Sequence, residues 1–384
     1  MWSHSSSPFV SIIVVTYNNE NDIADCLDSI LNQDYQDFEV IVVDNSSTDR
    51  TVERIIDKFA KDVRVKLIES KENTGYAGGN NIGFQNSKGE FVVLLNPDLV
   101  VDKEWLVNLV QACELLKDNI GIVCSNVLLF DKQDTINACG NIIHLTGFVF
   151  SRFYMEKESK CHECDDYSLD NGSLTEKQDG EVLLVPVAAP SGASMMFSRS
   201  SLQKIGRDKP FDTGRFVMEY SDIDLALDFL SYDLYCYVAP KSKVFHKFHF
   251  KMNPERLATL ERGRYQLLGH LTVGTRFSLL SSLILAEIIV WTFIVGGRNK
   301  NRWSMIRSKL GTYLWLFGHN NVSINRNSKA KDLKIIQAMS PNLIIYNEMA
   351  SKEVDKMPVF LNTANRLFAR SRERIRNSLQ RWRD

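Results

Sequence analysis

The chain has almost no net charge: 46 Lys and Arg against 47 Asp and Glu leave −1 over 384 residues. Without a global field there is no long-range pull on nucleic acid, and no recognised nucleic-acid-binding module is present. The opening MWSHSSSPFV lacks the basic segment and long apolar stretch of a secretory leader, so structure is expected to begin almost at once. No G-x-G-x-x-G turn follows the first apolar run, which ends in TYNNE; a nicotinamide-dependent oxidoreductase is thereby excluded. A single C-x-x-C, Cys161 to Cys164, has no second pair and does not read as a zinc site. The seven cysteines are odd in number, and Cys26, Cys113, Cys124, Cys139 and Cys236 sit in apolar segments. They are expected to be reduced, core-filling residues of an intracellular protein.

What is present is a regular alternation over residues 10–130. Strand candidates are Val10–Thr16, Phe38–Asp44, Val63–Ile68, Phe91–Leu95 and Ile120–Leu128. Helical patterns separate them; in the second, Val52, Ile55, Ile56 and Phe59 recur at helical spacing. Strands separated by helices imply a mainly parallel sheet covered on both faces. Ligands of such sheets sit outside the carboxyl ends of the strands. Polar residues collect there: Thr16-Tyr17-Asn18, then Asp44 through Asp49, then Asn96-Pro97-Asp98. Each alone is an ordinary cap or turn, and Thr48 is expected to cap the helix after it. Three polar strand ends on one edge point to a site.

Residues 131–182 are polar and poorly periodic, and read as an insertion or flexible loop. Beyond them LLVPVAAPSGASMMFSR suggests two short strands around a glycine turn. A helix follows, with Asp222 and Asp224 at its start, where the dipole favours acids. Short strands are expected at Leu234–Val238 and Lys243–His246.

The motifs VSIIVVTYNNE, VIVVDNSSTDRT, NTGYAGGNNIGF, VVLLNPDLVV, SGASMMFSR and YSDIDLAL occur in this order. Together they resemble the family-2 glycosyltransferases of the GT-A fold, in their rhamnosyltransferase-like branch. The resemblance implies an α/β catalytic domain over residues 1–275, a Rossmann-like, mainly parallel sheet flanked by helices, and a helical, membrane-associated region over 276–384. It implies an inverting, metal-dependent transfer of a sugar from a nucleotide-sugar donor, dTDP-rhamnose or a UDP-sugar, to a lipid-linked or cell-surface glycan. The alternative is an inactive family member that binds nucleotide-sugar or glycan as a scaffold.

The resemblance also assigns residues. Thr16, Tyr17, Asn18 and Glu20 surround the nucleoside. Asp44 accepts from a pyrimidine N–H, with Asn45 and Ser47 nearby. Asn73, Gly75, Gly78, Gly79 and Asn80 form a loop that approaches the donor. Asp98 and His246 hold Mg²⁺ or Mn²⁺, with His249 as a weaker second histidine, while Asn96 stands where the family commonly has the first Asp of an Asp-x-Asp and touches the donor ribose or sugar. Asp222 is the general base; Ser221 replaces the glutamate that usually precedes it, and Glu219 is the nearest glutamate.

One apolar run departs from the rest. Residues 277–295, FSLLSSLILAEIIVWTFIV, approach the length of a membrane span with Glu287 as their one charge. Basic residues flank the run, and the chain's last stretch carries Arg366, Arg370, Arg372, Arg374, Arg376, Arg381 and Arg383. With a donor site that must face the cytoplasm, this implies an in-plane attachment at the cytoplasmic face of the membrane.

Overall fold

The structure, a computed structural model, describes residues 8–116, 120–163, 177–178, 181–216, 219–248, 254–271, 275, 329–340 and 357–380. The chain opens with β1 (Val10–Thr16), α1 (Ile23–Leu31), β2 (Phe38–Asp44), α2 (Thr51–Phe59) and β3 (Val65–Glu69). It continues through α3 (Gly75–Gln85), β4 (Phe91–Leu95), β5 (Leu99–Val101), α4 (Trp105–Leu116) and β6 (Ile120–Leu129). The apolar runs become strands because both faces are covered, and parallel strands so buried lose the polar alternation of a half-exposed sheet.

Successive residues of β1 serve opposite faces. Val10, Ile12 and Val14 enter a core shared with Ile23, Leu27 and Ile30 of α1 and with Trp105 and Leu109 of α4. Ile13 and Val15 face α3, where Gly83 and Gly79 come so close that an added Cβ would lie 2.3 Å and 2.5 Å from those side chains. The glycines of α3 are therefore what lets the helix lie against the strand.

Next come β7 (Lys132–Ala138), β8 (Asn141–His144) and β9 (Val149–Ser151), so the first part of the stretch expected to be an insertion or loop is paired strand. The hydrogen-bonded partners, supplied by β6 and by residues 155–157, carry no sequence periodicity of their own. Cys139 is not a reduced core thiol. It forms a disulfide with Cys161, whereas Cys26, Cys113, Cys124 and Cys236 are free and buried as expected. The two-residue strands β10 (Lys177–Gln178) and β11 (Glu181–Val182) precede β12 (Val185–Val187), β13 (Ser194–Ser198), α5 (Arg199–Lys204), α6 (Ser221–Ser231) and β14 (Tyr235–His246). The two short strands expected after α6 are one, with a register shift between Ala239 and Lys243.

The large sheet runs β12-β14-β6-β13-β4-β1-β2-β3. Its β4-β1-β2-β3 half is parallel, as expected, and β14 runs parallel to β6. Between the halves β13 lies antiparallel to both β4 and β6. The sheet is therefore mixed, a correction with a consequence for function. An antiparallel strand begins where its parallel neighbours end, so residues 190–193 arrive at the polar edge.

Two compact units divide the chain: Met1–Asn141 with Ser151–Phe250, and Ile142–Phe150 with Lys251–Asp384. In the second, α7 (Pro254–Leu267), α8 (Lys329–Ala338), β15 (Met339–Ser340) and α9 (Met357–Gln380) are described. There β15 pairs with β8, Arg264 sits over the Phe148 ring, and Arg372 donates to the Ile336 and Gln337 carbonyls of α8. The apolar run 277–295 lies outside the described residues. Among those described, no helix is long and apolar enough to cross a membrane.

Gly83→Ala should lower the urea-unfolding midpoint. Alanine gains about 1 kcal/mol over glycine inside a helix, but overpacking against Ile13 costs about 1–3 kcal/mol. An unchanged or raised midpoint would remove the close-packing account of α3.

Candidate active site

Thr16 and Asp44 are partners in register at the ends of β1 and β2. Beyond them the chain turns through left-handed Asn18 (φ 54°) and Ser46 (φ 67°), and asparagine tolerates that region better than most residues. The two turns are laced together. The Asn18 N–H donates to Ser47 Oγ at 2.9 Å, and the Thr48 N–H donates to Asn18 Oδ1 at 2.8 Å. The Arg50 N–H donates to Glu20 Oε2. Asp49, not Thr48, serves the start of α2, accepting from the Thr51 N–H at 3.0 Å; Thr48 is taken up by Asn18 instead.

Within this frame Asp44 stands out. One carboxylate oxygen accepts from the Ser47 N–H at 3.0 Å; the other is buried and has no hydrogen-bond partner among the described residues. Buried polar atoms are normally paired, so an open acceptor at a strand end marks a place for a ligand's N–H. Tyr17, 46% exposed, is at the same turn. Asn45 is committed to the fold: it accepts from the Thr74 N–H and donates to the Gly75 carbonyl. Asn73 likewise accepts from the Gly75 N–H, and Gly75 needs its glycine for φ 70°. Gly79 was expected in a donor-facing loop; it packs on Val15 within α3, and Gly78 abuts the Thr74 side chain. Asn80 is buried, donates to the Tyr76 carbonyl, and keeps an Oδ1 without a partner among the described residues.

The LLNPDLV corner joins two distant parts of the chain. Pairing of Leu99 with His246 sets Asp98 beside the end of β14. Asp98 Oδ2 lies 3.1 Å from His246 Nε2, and its carbonyl accepts from the Lys247 N–H at 3.0 Å. The second carboxylate oxygen, Oδ1, is buried and unpartnered among the described residues. Lys247 Nζ reaches back to Asp25 of α1 at 2.6 Å. Burial, reinforced by Asp98, pushes the nearby Cys26 thiol far up, so it stays protonated. Asn96 is fixed through its backbone, its N–H donating to the Ala193 carbonyl at 2.9 Å.

Ala193 leads to Asp222. The adjacent Gly192 N–H donates to Asp222 Oδ2 at 2.9 Å, and the Ile223 N–H donates to Oδ1 at 3.0 Å. Tyr76 Oη donates to the Gly192 carbonyl at 2.8 Å. Two consecutive residues thus tie the Asp98 corner, the start of α3 and Asp222 to one edge. Burial pushes the Asp222 carboxyl up to about 6; the Glu219 carboxylate adds to this, and the Ile223 and Gly192 N–H groups oppose it. Asp224 lies in the first turn of α6, as expected. It is buried between Arg207 (2.8 Å) and Arg215 (2.5 Å), which anchor α6. The residues that sequence reasoning missed are Gly192 and Tyr76; both lie in the motifs SGASMMFSR and NTGYAGGNNIGF, but their ties across the edge carry no local signal.

Residues 11–206 match the model of the family described as Glycosyl transferase family 2, more than half of the chain. The chain belongs to that family. Asp222 and His246 lie beyond the matched range, so their place in the site rests on the hydrogen bonds above. Glycosyltransferase GlyG of Streptococcus pneumoniae is 31% identical over 129 residues, 33% of this chain and 42% of that one. The UDP-Glc:alpha-D-GlcNAc-diphosphoundecaprenol beta-1,3-glucosyltransferase WfgD of Escherichia coli is 30% identical over 129 residues, 33% of this chain and 49% of that one. The match thus spans under half the length of each. Among solved structures, GalNAc-T7 with UDP, GalNAc and Mn²⁺ superposes with a TM-score of 0.57 at 14% identity, over 72% of this chain and 50% of that one. That likeness is one of fold, a mixed α/β GT-A-like architecture.

A Cβ on Gly192 would meet Asp222 Oδ2 at 2.7 Å. Gly192→Ala should therefore displace the carboxylate and cut catalytic turnover at least tenfold, measured on the variant that circular dichroism shows to be folded, because the added methyl also crowds Asp222 Cγ and Cβ at 3.1 Å and 3.2 Å. Wild-type turnover in this variant would show that the Gly192–Asp222 contact is incidental.

Proposed function

We propose that the chain is an inverting, metal-dependent glycosyltransferase of the rhamnosyltransferase-like branch. It moves a sugar from a pyrimidine-diphosphate donor, dTDP-rhamnose first and UDP-sugars next, to a lipid-linked or cell-surface glycan. The observation that carries this is the pair of ties from Gly192 and Ala193, which brings a carboxylate–imidazole pair and a second, protonatable carboxylate to one edge. The E. coli relative's name, a transferase to a diphosphoundecaprenol-linked sugar, supports the choice of acceptor class.

Each role follows from the chemistry of the atom involved. The open oxygen of Asp44 accepts the ring N–H of a pyrimidine, with Tyr17, Asn18 and Thr16 on the nucleoside side. Asn96 and Asn80 face the donor ribose or sugar. The donor set at Asp98 and His246 fits a divalent cation: one buried carboxylate oxygen, Oδ1, lacks a partner among the described residues, and an imidazole nitrogen lies 3.1 Å from the other, Oδ2. Among the described residues no cluster of three or more such ligands exists; Mg²⁺ or Mn²⁺ would have to complete its shell with phosphate oxygens and water, as these ions commonly do. When bound, such an ion supplies Lewis-acid neutralisation of the departing diphosphate. Asp222 accepts the proton of the acceptor hydroxyl as that oxygen attacks the anomeric carbon. With a pKa near 6 it is ionised at neutral pH yet still basic enough to take the proton. One base and one displacement invert the anomeric centre.

Asp222→Asn should lower transfer by about 10²- to 10⁴-fold and leave binding of the nucleoside diphosphate intact, measured by calorimetry. In wild type, kcat/KM should be flat above pH 6 and fall about tenfold per unit below it, since protonation removes the base. Equal turnover in wild type and Asp222→Asn would sink the assignment.

The C-terminal region is proposed to attach in plane to the cytoplasmic face of a membrane, through the apolar run 277–295 and its basic flanks. Carbonate extraction of membranes should retain the full chain in the pellet. Release into the supernatant would dismiss firm insertion.

A further inference from the structure

The reaction scheme leaves one buried polar side chain at the metal corner unused. Asn137 belongs to β7, and the register of β7 against β6 steps from Val127↔Ala138 to Leu128↔Ile136. Asn137 is the extra residue of that step, a β-bulge. Bulges re-aim a side chain, and they are over-represented beside active sites. Here β7 and β14 both pair with β6, and the Asn137 and His246 side chains meet. Asn137 Oδ1 lies 2.8 Å from His246 Nδ1, while Nε2 of the same ring lies 3.1 Å from Asp98 Oδ2. Asn137 is 7% exposed, so water competes little for this bond.

The backbone under Asn137 is held from several directions. The Ile136 N–H donates to the Glu156 carbonyl, and the Met155 N–H donates to the Ile136 carbonyl, both at 2.8 Å. Two residues beyond, Cys139 is bridged to Cys161, and its carbonyl accepts from Arg152 at 3.0 Å.

A neutral imidazole carries one N–H, and here both nitrogens face an acceptor, Asn137 Oδ1 at 2.8 Å and Asp98 Oδ2 at 3.1 Å; with a divalent ion held by the carboxylate, the proton would belong on Nδ1 and the lone pair on Nε2. With the proton on Nε2, His246 would donate to Asp98 and offer nothing to a cation. We propose that Asn137 is a positioning residue: its carboxamide oxygen accepts the Nδ1 proton of His246 and keeps the Nε2 lone pair turned toward the divalent ion of the Asp98 corner. This rests on the reading of Asp98 and His246 as the cation's protein ligands. Partners that orient a ligating histidine raise its basicity and fix its ring, and their loss costs about 10- to 100-fold in metal affinity.

Two measurements on the full chain test it. The first is a nitrogen-15 imidazole spectrum with saturating Mg²⁺, a diamagnetic ion, at mildly alkaline pH, with the His246 signals assigned by their loss in His246→Gln. His246 is expected as the Nδ1–H tautomer in wild type and in Asn137→Asp, which keeps an acceptor oxygen, and as the Nε2–H tautomer in Asn137→Leu. The second is a Mn²⁺ titration followed by electron paramagnetic resonance. Asn137→Leu should bind Mn²⁺ about 10- to 100-fold more weakly than wild type, and Asn137→Asp should recover most of that loss. Wild-type tautomer and affinity in Asn137→Leu overturn the proposal while leaving the cation site standing, provided Asp98→Asn loses Mn²⁺. A wild-type chain that takes up no Mn²⁺, either alone or with UDP present, overturns both. Should the leucine variant fail to fold, the wild-type spectrum decides: an Nε2–H tautomer at His246 is the contrary result.

Discussion

The start of β13 is the constraint on which the site depends. The two residues just before it make three bonds outward: Ala193 to the Asn96 backbone, Gly192 to the Asp222 carboxylate, and Gly192 to the Tyr76 hydroxyl. Asn96, Tyr76 and Asp222 sit on β4's exit, α3 and α6, elements that no local interaction would bring together. A reaction that needs a donor held on one side and a base on the other requires such a cross-tie, because small misplacements of reacting groups are costly. The antiparallel direction of β13 is what makes the tie possible, since its first residues emerge at the edge where β1, β2 and β4 finish.

The edge is also where the molecule leaves polar atoms unsatisfied. Asp44, Asn80 and Asp98 each keep a buried oxygen without a partner among the described residues, and each such atom costs about 1–3 kcal/mol in a folded protein. Asp222 adds a carboxylate whose burial raises its pKa to about 6. The parallel half of the sheet, with its continuous Val, Ile and Leu burial, offsets these costs. A rigid, apolar base carrying an unsatisfied polar rim is the arrangement expected of a preorganised site.

Much of this was legible in the chain itself. Val10–Thr16, Phe38–Asp44 and Phe91–Leu95 become strands with those bounds, because fully buried parallel strands write themselves as unbroken apolar runs. The polar strand ends follow from the same rule, so Thr16, Asp44 and Asp98 were visible as a set. Other features left no local trace. Thr48 looked like a helix cap, but Asn18 claims it and Asp49 takes the role. Asp224 is the helix-start acid it looked like, but the pairing of its buried side chain with two arginines left no sign. The Cys139–Cys161 bridge joins residues whose surroundings suggested free thiols and a polar loop.

The amino-acid sequence by itself determined the alternation of strands and helices and the chemical character of the edge, because burial periodicity and turn chemistry are local properties of neighbouring residues. Tertiary structure alone decided which polar residues meet. The direction of β13, the bulge that turns Asn137 to His246, and the approach of Gly192 to Asp222 each join residues dozens to more than a hundred positions apart. Contacts of that kind are set by strand order and register, which no short stretch of sequence contains.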